Sequence, residues 1–285
     1  MPAKGQILVA AVLVIGLIVM SALVTAYRAH TLFLRARGAA AREAVSAITV
    51  DFERALAAML ALATRTRFDH DRFSDFTARF EELGLVPGDL ESAKLVARRF
   101  LEGWEAAVRV VYAEKGVQVE WFEGVVDVTH LLGKPAYVYD LVLLDWYSTT
   151  SGSYVCAGLE LNFTSVGLYG WRVLSLVGLT VSIDEYSAAS NTVRIRVLVA
   201  NGTYYGNLAN RGWVEVYYQQ GGDGGWVKAE VKDVTYEGFG YYRITVDTEL
   251  PGETPFIVVA SDERGILVVS RAVTPASPSK GKAKG

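Results

Sequence analysis

The stretch ILVAAVLVIGLIVMSALVTA, residues 7–26, decides how this chain is organised. It contains no charged residue, no proline and no side-chain amide. A helix of about 20 residues is roughly 30 Å long, which is the thickness of the hydrocarbon core of a bilayer, and it satisfies its backbone hydrogen bonds internally. Tyr27 and Arg28 follow with the aromatic ring and the charge expected at a membrane boundary. The sequence therefore predicts a leader and transmembrane helix over residues 1–27.

Three fates of this segment are open. In the simplest, the helix is an uncleaved anchor. In the second, it is a secretory signal peptide cut after Ala26, although its apolar run exceeds the roughly 7 to 15 residues usual for such signals. The third starts from Lys4, Gly5 and Gln6, a short basic leader that ends immediately before the apolar run. This leader resembles the class III signal of archaeal type IV pilin-like proteins, and the resemblance implies cleavage between Gly5 and Gln6 with the helix left in place.

Two features disagree about the side of the membrane on which the body lies. The positive-inside rule weighs Lys4 against four arginines that follow the span, and it places the carboxyl side in the cytoplasm. These arginines are Arg28, Arg35, Arg37 and Arg42. The sequons at Asn162 and Asn201 can be glycosylated only outside the cytoplasm, and a long amino-terminal helix that leads into β domains also favours the outside. We expect a single-pass membrane protein with the bulk of the chain extracellular.

Residues 28–116 have helical periodicity and are predicted to form a stalk or bundle. In residues 39–66 apolar residues recur at steps of three and four, and this helix can run straight on from the membrane span, with a bend expected at Gly38. These apolar residues are Val45, Ile48, Phe52, Leu56, Met59, Leu60 and Ala63. A second helix is predicted over 71–83, and a third from its N-cap Asp89 to a stop at Gly116. The apolar face of the third helix is Phe100, Leu101, Trp104, Val108 and Val111.

After Gly116 the period of the apolar residues changes from about 3.6 to 2, which predicts strands. The first β domain, residues 117–186, has strands at 117–122, 125–130, 137–147, 154–163 and 171–183. A polar linker at 184–191 leads into the C-terminal domain, residues 187–273. Its strands are at 192–199, 213–219, 226–234, 241–248, 256–261 and 266–271. The fold class is therefore α+β, with two antiparallel β-sandwich-like modules after the helices and a disordered basic tail at 274–285.

Two stretches of the β region resemble known families. Residues 156–171, followed by VSI at 181–183, resemble a β segment of uncharacterised archaeal surface proteins with pilin-like amino termini. The pattern GFGYY at 238–242, followed by DERG at 262–265, is similar to an immunoglobulin-like or carboxypeptidase-regulatory-like β module. The second resemblance implies an immunoglobulin-like sandwich at the C terminus, and modules of this kind mostly space, pack or adhere.

The residue types that carry catalysis are sparse. His30, His70 and His130 lie far apart, without Glu or Cys at the spacing of metal ligands. The single Cys156 stands in an apolar strand, which indicates a buried, inert thiol. No nucleophile elbow, phosphate-binding loop or dinucleotide fingerprint is present. We expect no enzymatic activity, no metal and no cofactor.

The leading hypothesis is a membrane-anchored, pilin-like structural protein of the cell surface that presents β modules for assembly or adhesion. Its partners are then the lipid bilayer and other pilin-like or envelope proteins. The alternative is an anchored module that binds a glycan or a protein through Trp213, Tyr217 and Trp226, because aromatic rings on a strand can stack on sugars. The net charge of −3 and the acidic excess of the β region argue against nucleic acid as a partner.

Overall fold

The computed structural model describes residues 3–68, 90–165, 167–200, 202–203, 213–219 and 226–275, with backbone only for 3–19, 29–30, 32–40 and 202–203. The predicted helix over 71–83, the N-cap Asp89, His70 and Asn201 lie outside the described residues. So do residues 276–285 of the predicted basic tail. The side chain of His30 is likewise outside them.

One helix, α1, runs from Ala3–Arg67 and passes through Gly38 without interruption. All seven apolar residues of its predicted stripe, from Val45 to Ala63, are buried, which confirms the amphipathic pattern. Gly5 and Gln6 lie in the first turns of this helix, and cleavage between them stays a prediction. Over the residues whose side chains the structure describes, no helix is both long and apolar enough to cross a membrane.

The second described helix, α2, spans Leu90–Val111 and packs against α1. A short 3₁₀ helix, Ala113–Lys115, follows it and ends at Gly116, whose φ of 61° is left-handed. This confirms the predicted stop, because glycine adopts positive φ without steric cost.

The buried face of α2 is narrower than the sequence predicts. Leu101 and Val108 are buried, but Phe100 and Trp104 are only half-buried and Val111 is 73% exposed. The buried positions are Ser92, Ala93, Val96, Ala97, Leu101 and Val108. The small side chains of the first two turns bring α2 close to α1 along this line, so that the larger residues one position away lie at the flank of the contact.

The remaining described elements are strands, apart from one short helix, α3, at Thr129–Leu132. The first strands are β1 (Val117–Glu123), β2 (Val126–Asp127), β3 (Tyr137–Val138), β4 (Val142–Asp145), β5 (Thr150–Phe163), β6 (Leu168–Ser187) and β7 (Thr192–Val199). The later strands are β8 (Gly202–Thr203), β9 (Val214–Gln219), β10 (Trp226–Ala229), β11 (Val231–Gly238), β12 (Tyr241–Val246), β13 (Pro255–Ser261) and β14 (Leu267–Val273).

All pairings among the described strands are antiparallel, and with the helices they confirm an α+β fold. An eight-stranded sheet has the order β1-β5-β6-β7-β12-β11, with β4 also on β5 and β8 also on β7. A four-stranded sheet has the order β10-β9-β13-β14, and β2 pairs with β3 alone. One face of the large sheet packs against α1, α2 and the four-stranded sheet.

The large sheet continues across the domain boundary predicted at residues 186 and 187. Strand β6 pairs with β7 from Leu179 opposite Val199 to Ser187 opposite Thr192. One apolar cluster includes residues of both helices and of strands on both sides of that boundary. The polar residues 184–187 form the end of β6 rather than a linker. Polar side chains are tolerated at this end of the strand because it is open to water.

Three predicted strands are interrupted in the structure. The strand expected at 125–130 is reduced to β2, because the Thr129 N–H donates to Asp127 Oδ1 at 2.8 Å and α3 begins there. The strand expected at 137–147 is divided by Asp140 and Leu141, which both have positive φ. The strand expected at 226–234 divides at Glu230 into β10 and β11, which belong to different sheets.

Candidate functional site

The outer face of the four-stranded sheet carries a row of side chains across all four strands. Lys228 on β10 lies opposite Tyr217 on β9, Tyr217 lies opposite Ile257 on β13, and Ile257 lies opposite Arg271 on β14. Trp226 projects from the same face, two residues before Lys228. We call these five residues the aromatic strip.

The indole of Trp226 is the most accessible ring of the strip, with 44% of the residue exposed. The guanidinium Cζ of Arg271 lies 5.9 Å from the centroid of this ring, within the range of a cation–π contact. The indole and the guanidinium therefore meet on the outer face of the sheet, and part of the indole stays open to solvent.

A buried carboxylate supports the strip. Glu215 on β9 is only 4% exposed. The hydroxyl of Tyr217 donates to its Oε2 at 2.7 Å, and the Nζ of Lys228 donates to its Oε1 at 2.7 Å. The ammonium group of Lys228 compensates the charge of the buried carboxylate. The two hydrogen bonds fix the directions of the Tyr217 and Lys228 side chains. The site can thus offer a fixed phenol and an ammonium group beside an aromatic surface.

The segment before β5 closes one end of this face. Trp146 covers Val259 and Val269, and its Nε1 donates to Ser153 Oγ at 2.9 Å. The backbone N–H of Tyr147 donates to the carbonyl of Val269 at 2.9 Å, which attaches the segment to the edge of β14. This segment therefore covers the β14 end of the face, and the Trp226 ring on β10 is exposed.

The structure brings together two of the three predicted stacking residues. Tyr217 and Trp226 share the strip, whereas the half-buried Trp213 packs against the main apolar cluster. Glu215 and Arg271 were not predicted as site residues. Alternation along β9 places Glu215 beside Tyr217, but the approach of Lys228 and Arg271 depends on strand pairing that the sequence does not specify.

The remaining predicted site residues lie apart from the strip. Asn162 is half-buried, and its Oδ1 accepts the Gly170 N–H at 2.6 Å. His130 is exposed beside Asp127, and its charge is one of the smaller causes that lower the pKa of that carboxyl, after the hydrogen bonds from Thr129. Within the described residues no group of three His, Cys, Asp or Glu side chains could hold a metal ion.

Cys156 and Tyr154 are fully buried beneath the segment 126–138. Burial raises the pKa of the Cys156 thiol to about 11, so the thiolate that a nucleophile requires is scarce at neutral pH. Burial also raises the pKa of Tyr154 to about 12, and its hydroxyl shares a hydrogen bond with Thr180 Oγ1. The interpretation of Cys156 as a buried, inert thiol is consistent with this environment.

The fold defines an α+β protein in which the carboxyl part of one long helix, from Ala41 onward, packs against antiparallel sheets. No family model and no curated protein matches the chain.

Proposed function

We propose that this chain is a membrane-anchored structural protein of the cell surface, in which the amino-terminal part of α1 enters the bilayer and the β-sheet body is held outside. The supporting observation is the contrast between two parts of the same helix. From Ala41 onward α1 presents a buried face to the core. Residues 20–28 are exposed without exception, and among them Met20, Leu23, Val24 and Tyr27 are between 50% and 70% exposed.

Lipid is the occupant that best suits this exposed apolar part of α1. Large apolar side chains that lie together in water mark a surface that another phase or molecule covers. The exposed residues continue directly into the uncharged sequence of residues 7–19. The apolar span ends at residue 26 and the buried face begins at Ala41, so residues 27–40 form a stalk of about 21 Å at 1.5 Å per residue between the membrane and the body.

The pilin-like part of the proposal rests on the resemblance of the leader at Lys4, Gly5 and Gln6. In such a protein the peptidase cuts after Gly5, and the helix stays in the membrane as the anchor and assembly element. The body then acts by spacing, packing or adhesion, in keeping with its resemblance to an immunoglobulin-like module. Its partners are the bilayer and other envelope proteins.

Membrane fractionation of the full chain tests the anchor. We expect the chain to stay in the membrane fraction after an alkaline carbonate wash. A Val14→Arg, Leu17→Arg variant should leave that fraction, because each arginine at the centre of a span costs about 2.5 to 3.5 kcal/mol. The matched control is Val50→Arg, Leu95→Arg, which places the same charges at exposed positions of the body and should stay in the membrane. Wild-type chain released by carbonate contradicts the anchor.

Mass spectrometry of the mature amino terminus separates the three fates of the leader. A chain that begins at Gln6 supports the pilin-like reading, and one that begins at Met1 supports a plain anchor. A chain that begins at Tyr27 has lost the helix and contradicts both. Replacement of Gly5 by Trp should leave residues 1–5 attached while the protein still inserts, because the apolar helix supplies insertion.

A second function, binding of a glycan or protein, is favoured by the aromatic strip. The supporting observation is that Trp226 is exposed on a surface whose other side chains are fixed. Arg271 contacts the Trp226 ring, and the Glu215 carboxylate holds Tyr217 and Lys228. Glycan-array binding by the full chain should disappear in Trp226→Ala and persist in Trp171→Ala, where an equally exposed indole is removed from the other sheet. Equal binding by both variants contradicts this function.

A further inference from the structure

Three arginines surround one tyrosine on the outer face of the eight-stranded sheet. Arg194 on β7 lies opposite Arg243 on β12, and Arg196 on β7 lies opposite Tyr241 on β12. The guanidinium Cζ of Arg194 is 4.4 Å from the centroid of the Tyr241 ring, and that of Arg196 is 5.3 Å from it. We call these four residues the arginine cluster.

The alternation of β7 turns the cluster away from the core. Val193, Ile195 and Val197 are fully buried on the inner face. Arg194 and Arg196, which stand between them, therefore project from the opposite face. Both are half-buried, because they lie against Tyr241 rather than extending into solvent.

The acidic groups around the cluster leave Arg196 without a counter-ion. Glu237 is shared by two arginines: its Oε2 accepts from Arg194 Nε at 2.9 Å, and its Oε1 pairs with Arg243. Glu185 on β6 is opposite Arg194 in register but forms no ion pair in the described part of the chain. The side chain of Arg196 has no hydrogen bond or ion pair in the described part of the chain, and its Nε is buried without an acceptor.

An arginine in this condition is unusual in a folded protein. A buried donor without an acceptor is costly, and a guanidinium held against a ring has already lost much of its freedom. Hydroxyls flank it, since Ser182 on β6 is opposite Arg196 and its Oγ lies 2.8 Å from Thr150 Oγ1. The surroundings thus supply additional hydrogen-bonding groups but no ion-pair partner for Arg196 among the described residues.

We infer that the arginine cluster binds an oxyanion, a carboxylate or a sulfate, with Arg196 as its principal ligand. The planar guanidinium offers parallel N–H donors that match two oxygens of such a group. Tyr241 positions the guanidinium, and the three arginines of the cluster still exceed the two neighbouring carboxylates, Glu237 and Glu185, by one positive charge. This site lies on a different sheet from the aromatic strip and does not depend on the proposed anchoring.

Thermal unfolding of the full chain in neutral detergent tests the site. Sodium sulfate, added at ionic strength held constant with sodium chloride, should raise the unfolding temperature saturably, because a ligand that binds only the folded state stabilises it. Arg196→Gln should weaken the affinity derived from this shift by at least about tenfold. Arg196→Lys keeps the charge but not the planar donors, so its affinity for sulfate should lie between that of the wild type and that of Arg196→Gln.

The control is Arg172→Gln. Arg172 lies on the outer face of the same sheet, and its Nε already donates to Glu160 Oε2 at 2.7 Å. This variant should bind sulfate as the wild type does. Equal loss in Arg172→Gln and Arg196→Gln would mean general charge screening and overturns the inference, as does an unchanged affinity in Arg196→Gln. Circular dichroism verifies that each variant is folded before its affinity is compared.

A second series of ligands identifies the source of the oxyanion. Galacturonate and polygalacturonate carry the same carboxylate, whereas dextran is a neutral polysaccharide. Tighter binding of the polymer than of the monomer, per carboxylate, indicates an acidic polysaccharide; equal binding indicates a small free anion. Both results require loss of binding in Arg196→Gln. Binding of dextran that survives this substitution contradicts an oxyanion site.

Discussion

The backbone N–H of Leu267 donates to the hydroxyl of Thr64 at 3.1 Å and so joins the last turns of α1 to the first residue of β14, 203 residues later. The same hydroxyl donates to the carbonyl of Ala61 at 2.9 Å. Thr64 is fully buried. The carboxyl end of the long helix is therefore fixed to the C-terminal hairpin by a side chain that acts as donor and acceptor at once.

Thr64→Val should destabilise the protein by about 1 to 3 kcal/mol, because the Leu267 N–H loses its acceptor. Urea unfolding measures the change. Thr66→Val is the matched control: Thr66 is also buried in α1, but its hydroxyl donates only to Leu62 O at 3.0 Å. The difference between the two variants isolates the contact with β14. Equal losses would show that the contact contributes nothing to stability.

The contact between α1 and α2 should depend more on Phe52 than on Trp104. Their ring centroids are 5.2 Å apart, but Phe52 is fully buried and Trp104 is half-buried, with its Nε1 donating to Asp51 Oδ2 at 2.8 Å. Phe52→Ala should cost about 3 to 5 kcal/mol in unfolding free energy, and Trp104→Ala roughly half as much. The reverse order would place Trp104, not Phe52, at the centre of the interface.

Replacing two glycines by alanine should change the stability of the protein in opposite directions. A Cβ on Gly178 would overlap the ring of Tyr154, its buried partner on β5, so Gly178→Ala should destabilise the protein by about 1 to 3 kcal/mol. Gly103, exposed within α2, has nothing near that position, so Gly103→Ala should stabilise it by about 0.5 to 1 kcal/mol. Urea midpoints of both variants check the signs, and a stable Gly178→Ala would contradict the packing of Tyr154.

Tyr154 should make the protein less stable in strong alkali. Its pKa is raised by burial from 10 to about 12, so the unfolded chain releases the proton first. The contribution of the neutral Tyr154 to the unfolding free energy is fully present below pH 10. It is lost as the pH rises through about 12, and it amounts to roughly 3 kcal/mol. Tyr154→Phe should flatten this part of the curve of unfolding free energy against pH. Tyr169→Phe, at an exposed position, should leave it unchanged.

Much of the local structure follows from the sequence. The apolar stripe from Val45 to Ala63 predicts the buried face of α1, and strict alternation predicts the bounds and inner face of β7. The turn before β14 has Gly265 at a φ of 82°, which glycine adopts without steric cost. Local signals fail where a single side chain or backbone angle intervenes, as at Asp127 and Leu141.

Taken alone, the sequence determined the buried stripe of the long helix, where helical periodicity gives way to strands and which side of a strand such as β7 faces the core. The tertiary structure alone decided that β6 and β7 continue one sheet across the predicted boundary, and that β10 and β11 enter different sheets. It also placed Lys228 and Arg271 beside Tyr217 and Trp226, and left Arg196 without a counter-ion. The reason is physical: periodicity acts between neighbours in the chain, whereas a strand with a given alternation can pair with many others, and only the packing of all of them selects its partners.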